Sequence, residues 1–585
     1  MKKIRLISTS FCLLFALKIQ GQFFSKITNS PISIINSDSR SVNWIDINND
    51  DWLDCFISNG PSGGQNNFLF INTGSGSFTL AASDSIVLDN KPSDGATFGD
   101  INNDGSIDAF VANWYNINNL FYTNNGNGSF TKSNSEIISN DLGYSETAAW
   151  GDYDGDGLLD LYVTNSAGQK KNYLYHNTGN GTFLKINSGD LVIDANYSRN
   201  VNWTDIDNDG DLDVFVTNEN GQNENLYLNN GSGNFTKITS GTLLNDGGNT
   251  NSSSWADVDN DGDLDVFLAN DQGFNSLFIN EGNLVFTKIL SDTVSTTPSR
   301  SFSSAWSDID NDGDVDLFVT NSFGISNKLV NYLYINQGNG TFIRNSSDIT
   351  ASDSAFSYGC AFGDYNNDGF EDLAVATCRF GGIDQKNSLY QNVTNSNNWI
   401  AFKLIGTVSN ASAIGAKIRV KAIINGNAVW QMREISSQSS YCGQNDLRPH
   451  FGIGDATKID SVKIEWPSGI VDYLTQLTIN QFKNVTESAN STDISDSKKD
   501  NESIVVFPNP TGKIIQIKSL KQTFFAGDEF VLFNSDGKHL LNETLLKNKT
   551  EINIDLTTLN LASGAYFVML VRKNEKVVQK KILIN

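Results

Sequence analysis

Histidine and proline are scarce, at 3 and 8 of 585 residues, and no apolar run beyond the first two dozen positions is long enough to cross a bilayer. His176, His450 and His539 match no zinc motif and no Ser/His/Asp signature, and no phosphate-binding loop occurs, so no reaction class announces itself. Basic residues are outnumbered, 41 Lys and Arg against 66 Asp and Glu. The net charge of -25 speaks against nucleic acid and anionic membrane as partners, since both repel such a chain. A sustained helical period is missing too. Yet 39% hydrophobic and 11% aromatic residues are too many for a disordered chain, and 49 glycines suit tight turns between strands.

What is there is a repeat. The pattern Asp-x-Asp/Asn-x-Asp-Gly-x-x-Asp starts at Asp46, Asp100, Asp152, Asp205, Asp257, Asp308 and Asp364, about every 53 residues. An aromatic stands two positions before each loop, from Trp44 to Phe362, and another two positions after it in six copies, with Ala374 in the seventh. These short apolar flanks read as buried strands on either side of an acidic turn. A second hairpin with an Asn/Gly turn follows, as in YLYHNTGNGTF. Four strands per repeat is the size of a propeller blade. The seventh copy lacks its last strand, and QFFSKITNS near the N-terminus resembles that strand in other copies. The expected fold is therefore all-β: a seven-bladed propeller over residues 22–397, closed by its own N-terminal strand.

The loops are candidate calcium sites. Calcium takes six to eight oxygens. In the fourth loop the side chains of Asp205, Asp207, Asp209 and Asp213 can converge, with a carbonyl from Asp211 or Leu212, and Gly210 allows the turn. The same set recurs as Asp152, Asp154, Asp156 and Asp160; as Asp257, Asp259, Asp261 and Asp265; and as Asp308, Asp310, Asp312 and Asp316. Asparagine takes the third place in Asp100, Asn102, Asp104 and Asp108 and in Asp364, Asn366, Asp368 and Asp372. The first loop, Asp46, Asn48, Asp50 and Asp54, also has Asp51 where glycine is expected, and is the weakest of up to seven sites. The seven loops hold 30 of the 66 acidic residues, a density that costs repulsion unless cations offset it.

Stretches such as AAWGDYDGDGLLDLYVTN and SSWADVDNDGDLDVFLAN resemble the FG-GAP (VCBS) repeats of integrin-α-type propellers. The resemblance implies calcium in a structural role and partner binding by other loops of the ring. Residues 398–487 carry no acidic loop and read as a small β-domain. Ser409-Asn410, Gly415-Ala416, Phe451-Gly452-Ile453-Gly454 and Trp466-Pro467-Ser468-Gly469 resemble the ASPIC/UnbV domain of cartilage acidic protein-like chains. Residues 488–503 are polar and read as a linker. Residues 504–585 read as a β-sandwich that resembles the type IX secretion sorting domain of Bacteroidetes. Pro508-Asn509-Pro510, Ser563-Gly564-x-Tyr566 and Lys580-Lys581 carry that likeness. It implies handling by the type IX machinery and attachment at the outer-membrane surface.

The N-terminus reads as an export signal over 1–21, with Lys2, Lys3 and Arg5 before an apolar run at Leu6–Leu17. That run is too short to anchor the chain, and no transmembrane segment is expected in the mature protein. Four cysteines then remain. Cys360 and Cys378 flank the last loop, and folding that hairpin about residues 368–369 sets them nearly opposite, so a disulfide is expected there, with two buried thiols as the alternative. The functional expectation is a secreted or surface-held calcium-binding propeller that binds an extracellular glycan or protein, with no catalytic residue assigned. The alternative is a polysaccharide lyase or hydrolase on the same scaffold.

Overall fold

The computed structural model describes residues 21–324, 327–393 and 395–488, and within 504–584 the strands and parts of their connections. The export signal, the linker beyond 488, the Pro508-Asn509-Pro510 turn and Ser563 lie outside the described residues. Among the described residues no helix is long and apolar enough to cross a membrane. The chain forms two compact units, one holding the repeats and most of the region that follows, the other the C-terminal tail.

Each repeat is a four-stranded antiparallel blade. In the fourth, Ser198–Thr204 pairs with Asp213–Asn218, then Asn225–Asn229, then Phe235–Ile238. The inner two strands are buried on both faces, which is why they read as continuous apolar runs rather than alternating ones. Aromatics fill the space between blades. Trp44, Trp150 and Trp203 pack there, and each indole donates its N–H to a carbonyl of the preceding blade. The last blade is completed by the first strand of the chain. Phe24–Ile27 pairs with Ser388–Asn392, beginning Phe24 opposite Asn392. Asp348 accepts the Phe23 and Phe24 N–H groups, as Asp292 accepts that of Phe342 one blade earlier. The N-terminal strand thus occupies the outer position in every respect that its counterparts do, and two free sheet edges are removed.

The expected disulfide does not form. Cys360 lies opposite Val375, and a bulge between Ser357 and Cys360 absorbs one residue. The hairpin folds between residues 367 and 368, earlier than the 369 that would align the cysteines, so Cys378 is carried past Cys360, with its N–H donated to Phe356 O. Cys55, Cys360, Cys378 and Cys442 are all free and buried.

The region after the repeats folds as two small sheets. His450–Gly454, Asn398–Ile405 and Phe482–Thr486 form one, and Asn427–Glu434, Lys417–Ile424 and Ile459–Glu465 form a ladder in the other. Its segment 437–445 enters the central channel and bonds to every blade. Ser437 Oγ accepts from Trp150 N, and Gln438 O from the Asn202 amide. Ser440 Oγ meets Ser252 and Ser303, and Cys442 O accepts from Val42 N. Gln444 satisfies both backbone groups of Phe98, and Asn445 accepts from Phe362 N. This gives several of the polar side chains that face the axis, Asn202, Ser252 and Ser303 among them, a partner in the plug.

In the tail, Ile504–Phe507, Ile514–Ser519 and Glu551–Asp555 form one sheet, and His539–Thr544, Glu529–Asn534, Gly564–Arg572 and Glu575–Ile584 a second. Ile515, Ile517, Phe530, Ile552, Val568 and Leu570 make the core of this sandwich.

Candidate metal centre

Each acidic loop joins the first and second strands of a blade, so all seven lie at one end of the propeller. The fourth shows the construction. Asp205 Oδ1 accepts from Asp209 N at 3.1 Å and Oδ2 from Gly210 N at 3.0 Å. Asp213 accepts from Asn229 N at 2.8 Å and from Ile206 N at 3.1 Å. Asn208 and Gly210 have φ of +60° and +100°, so the loop needs residues that tolerate the left-handed region at both places. Asparagine or glycine holds the first of these positions in every loop, and glycine the second in all but the first, where Asp51 sits at φ +66°.

Carboxylate oxygens converge within 4.8 Å in four loops: Asp205, Asp207 and Asp213; Asp257, Asp259 and Asp265; Asp308, Asp310 and Asp316; and Asp152, Asp154 and Asp156. The third-position oxygens Asp154 Oδ1, Asp207 Oδ1 and Asp259 Oδ1 are buried and accept no hydrogen bond. An anionic oxygen in that state is costly and calls for a cation. Burial pushes the innermost carboxyl groups upward: Asp213 and Asp265 to about 8, and Asp160 and Asp257 to about 7. Backbone donors pull the other way and do not compensate.

The three asparagine loops are built differently. Asn48, Asn102 and Asn366 each donate an amide hydrogen bond of 3.0 Å to the fifth-position carboxylate, Asp50, Asp104 or Asp368. The amide meets within the loop part of the demand that a cation meets elsewhere, and among the described residues these loops show no convergent acidic group. Asp209, Asp261 and Asp312 stand outside the convergent triads of their own loops, each accepting from the backbone two residues on.

Two kinds of residue are conspicuous only in the structure. His176 Nδ1 lies 3.1 Å from Asp160 and 3.4 Å from Asp154, so it belongs to the third loop's cluster and not merely to a strand end. The hydrogen bond to Asp160 raises it to about 9. The second kind is the asparagine that ends every third strand. Asn72, Asn124, Asn177, Asn229, Asn280, Asn336 and Asn392 each give the side-chain amide to a carbonyl of their own loop and to one of the preceding blade's loop. Asn72 reaches Tyr365 and closes the circle. The signal was present in FLFIN, YLYHN, SLYQN and their kin, but period-two reasoning treats such a residue as a strand end.

The C-terminal part of the first unit covers this end of the propeller. Lys417 Nζ is buried 2.8 Å from Asp205 Oδ2, and Lys403 Nζ is 2.6 Å from Asp51. Arg448 reaches Asp364 O and the Asp51 carbonyl. Asp100 N donates to Ser412, and Gly454 N to Asn311 O. A Cβ on Gly452 would lie 2.2 Å from Asp308 Oδ2, so the FGIG run is a close-approach device against the sixth loop. His450 is buried against Trp399, with Nε2 3.1 Å from Gly369 O, which suits packing; burial lowers it to about 3.

The FG-GAP-like repeat family matches six overlapping segments that together span 46–375, more than half of the chain. The chain is a member of the FG-GAP repeat family. Residues 406–492 of this FG-GAP protein match the ASPIC and UnbV family, and residues 505–585 match the secretion system C-terminal sorting domain. The sorting domain marks the chain for type IX export, to the cell surface or beyond it. Cartilage acidic protein 1 of Mus musculus is 25% identical over 418 residues, 64% of this chain and 61% of that protein. The Homo sapiens counterpart is 25% identical over 344 residues, 54% and 50% respectively. The chain thus spans roughly half to three-fifths of those relatives. The solved structure of BBS1N in complex with ARL6DN aligns with a TM-score of 0.39 at 12% identity, over 64% of this chain and 98% of that one.

Proposed function

We propose that this FG-GAP protein is an exported, calcium-loaded binding module, cleaved after its N-terminal signal and held at the outer-membrane surface. Calcium is assigned to the loops with four aspartates, beginning with Asp205, Asp207, Asp209 and Asp213. The buried, unpartnered third-position oxygens support that assignment. The Leu212 carbonyl is already engaged by Asn229, which favours Asp211 as the backbone ligand. The asparagine loops bind more weakly, and the first, facing Lys403, most weakly of all.

Binding is favoured over catalysis by one observation: the central channel is filled by residues 437–445 of the chain itself. The cavity left beside the plug, lined by Trp255, Trp306, Glu371, Arg433 and Glu434, holds about 130 Å³. That is less than a ligand pocket of ordinary size, roughly 300 Å³ or more, and far less than a polysaccharide needs. The test is metal analysis and thermal unfolding of the full chain. At least four calcium ions per chain and a fall in Tm of about 10 °C or more in excess chelator are expected, since each saturated site adds about 2.7 kcal/mol at a hundredfold excess over Kd. A melting curve that chelator leaves unchanged overturns the calcium assignment.

A further inference from the structure

With the loop end covered and the channel plugged, the described residues of the first unit leave the other mouth of the propeller, where the innermost strands begin, uncovered. The second residue of six innermost strands lines it, Arg40, Asp94, Glu146, Arg199, Asn251 and Tyr358, and in the longer sixth strand, Pro298–Ser307, Phe302 does so. The tip of the plug arrives there from below. Tyr441 Oη lies 2.6 Å from Glu146 and 3.0 Å from Tyr358 Oη. Arg40 lies over the Tyr358 ring and Arg199 over that of Tyr441.

Aromatic groups rise from this floor on two sides. Trp114 donates to Glu146 and packs on Tyr115 and Tyr144 in the second and third blades. Phe302, Phe323, Phe356 and Phe380 pack together in the sixth and seventh. Tyr115 and Phe323 are 44% and 40% exposed, and they hold φ of +67° and +52°. Bulky side chains resist that region, and strain of this kind gathers at working surfaces. Phe323 packs on Phe302, Phe356 and Tyr358, and Tyr115 packs on Trp114, while both rings remain partly exposed.

The arginines at this mouth are compensated. Arg40 pairs with Asp38 and Arg199 with Glu146 and Glu219. Arg300 pairs with Asp271 and Arg379 with Asp384. Asp94, beside Glu146, feels Arg40 and Arg199, and Lys328 over the Phe380 ring is held by Gln385, so among the described residues charges of both signs alternate around the mouth and form no field of one sign. What remains is a dense alternation of donors and acceptors between flat apolar rings. Hydroxyl groups both donate and accept, and the C–H face of a sugar ring covers an aromatic plane.

We infer that this mouth binds an uncharged, hydroxyl-rich glycan, its ring faces lying on Tyr115 and Phe323 and its hydroxyls on the Arg40 and Arg199 ion pairs. The inference rests on the binding-module reading and gives it a site and a ligand class. The experiment presents the full calcium-loaded chain to immobilised neutral oligosaccharides, to uronate-containing and sulfated ones, and to a polypeptide array. Tyr115→Gly and Phe323→Gly serve as variants, because glycine accepts the left-handed backbone and both side chains are exposed. Binding to neutral oligosaccharides is expected, weakened about tenfold or more by each variant with Tm preserved. Binding confined to acidic glycans, or neutral-glycan binding that both variants leave intact, overturns the inference. Binding to polypeptides alone overturns it while leaving the binding module standing. Binding to nothing sinks both.

Discussion

At the residue scale, the acidic loops and one odd glutamate show how the same chemistry is costly or useful according to its partners. Asp207 is pushed up by burial and by Asp209 and Asp205, and its Oδ1 has no donor. Asp207→Asn should therefore have opposite signs in two solutions. In calcium it lowers Tm by a few degrees; in chelator it leaves Tm equal or higher, because repulsion is relieved. Parallel melting curves check both. Glu224 stands where Asn67, Asn119, Asn172, Asn275, Asn331 and Asn387 accept a backbone N–H in the other blades. It accepts from Asn218 N and Thr250. Burial raises it to about 8. A carboxyl raised on folding carries its proton into the native state, so its contribution to stability is whole below about pH 4.5 and is lost as pH climbs through 8. Glu224→Gln should flatten that decline and gain on the order of a few kcal/mol at pH 8, read by denaturant unfolding across pH.

At the element scale, register decides what spacing cannot. In the Cys360–Cys378 hairpin residues 364–371 separate two apolar strands, and the cysteines would stand opposite one another only if the chain folded about residue 369. The acidic loop does not fold there. Its first carboxylate pulls the next turn back onto itself, Asp368 N and Gly369 N both donating to Asp364. The second strand therefore starts earlier than that symmetry requires, with Asp372 opposite Gly363 and Val375, not Cys378, opposite Cys360. Thiol titration of the denatured, unreduced mature protein is expected to count four free cysteines; two would restore the disulfide. Closure by the N-terminal strand was legible, because one copy lacked a strand and one strand lacked a copy. The asparagine circle was visible as letters but not as a circle, since each amide spans 74 to 78 residues or more to the loop of another blade.

At the scale of the whole molecule, the propeller and the domain that follows it are one body. Gln444 is fully buried and satisfies Phe98 N and Phe98 O, on a strand 346 residues away. Gln444→Ala leaves both backbone groups unpaired and should cost about 2–4 kcal/mol. Calorimetry should show one unfolding transition shared by the repeats and residues 398–487, lowered as a unit by the variant. Two separate transitions, with only one moved, would contradict the plug's role. The sequence by itself determined the repeat, its strands, its acidic loops and the identity of the three regions, because those signals are local and recur every blade. Only the tertiary structure decided which end of the propeller is covered, that the channel is filled, that four loops gather convergent carboxylates, and which mouth the described residues of the first unit leave uncovered. Those properties depend on contacts between segments hundreds of residues apart, where neither periodicity nor spacing carries information.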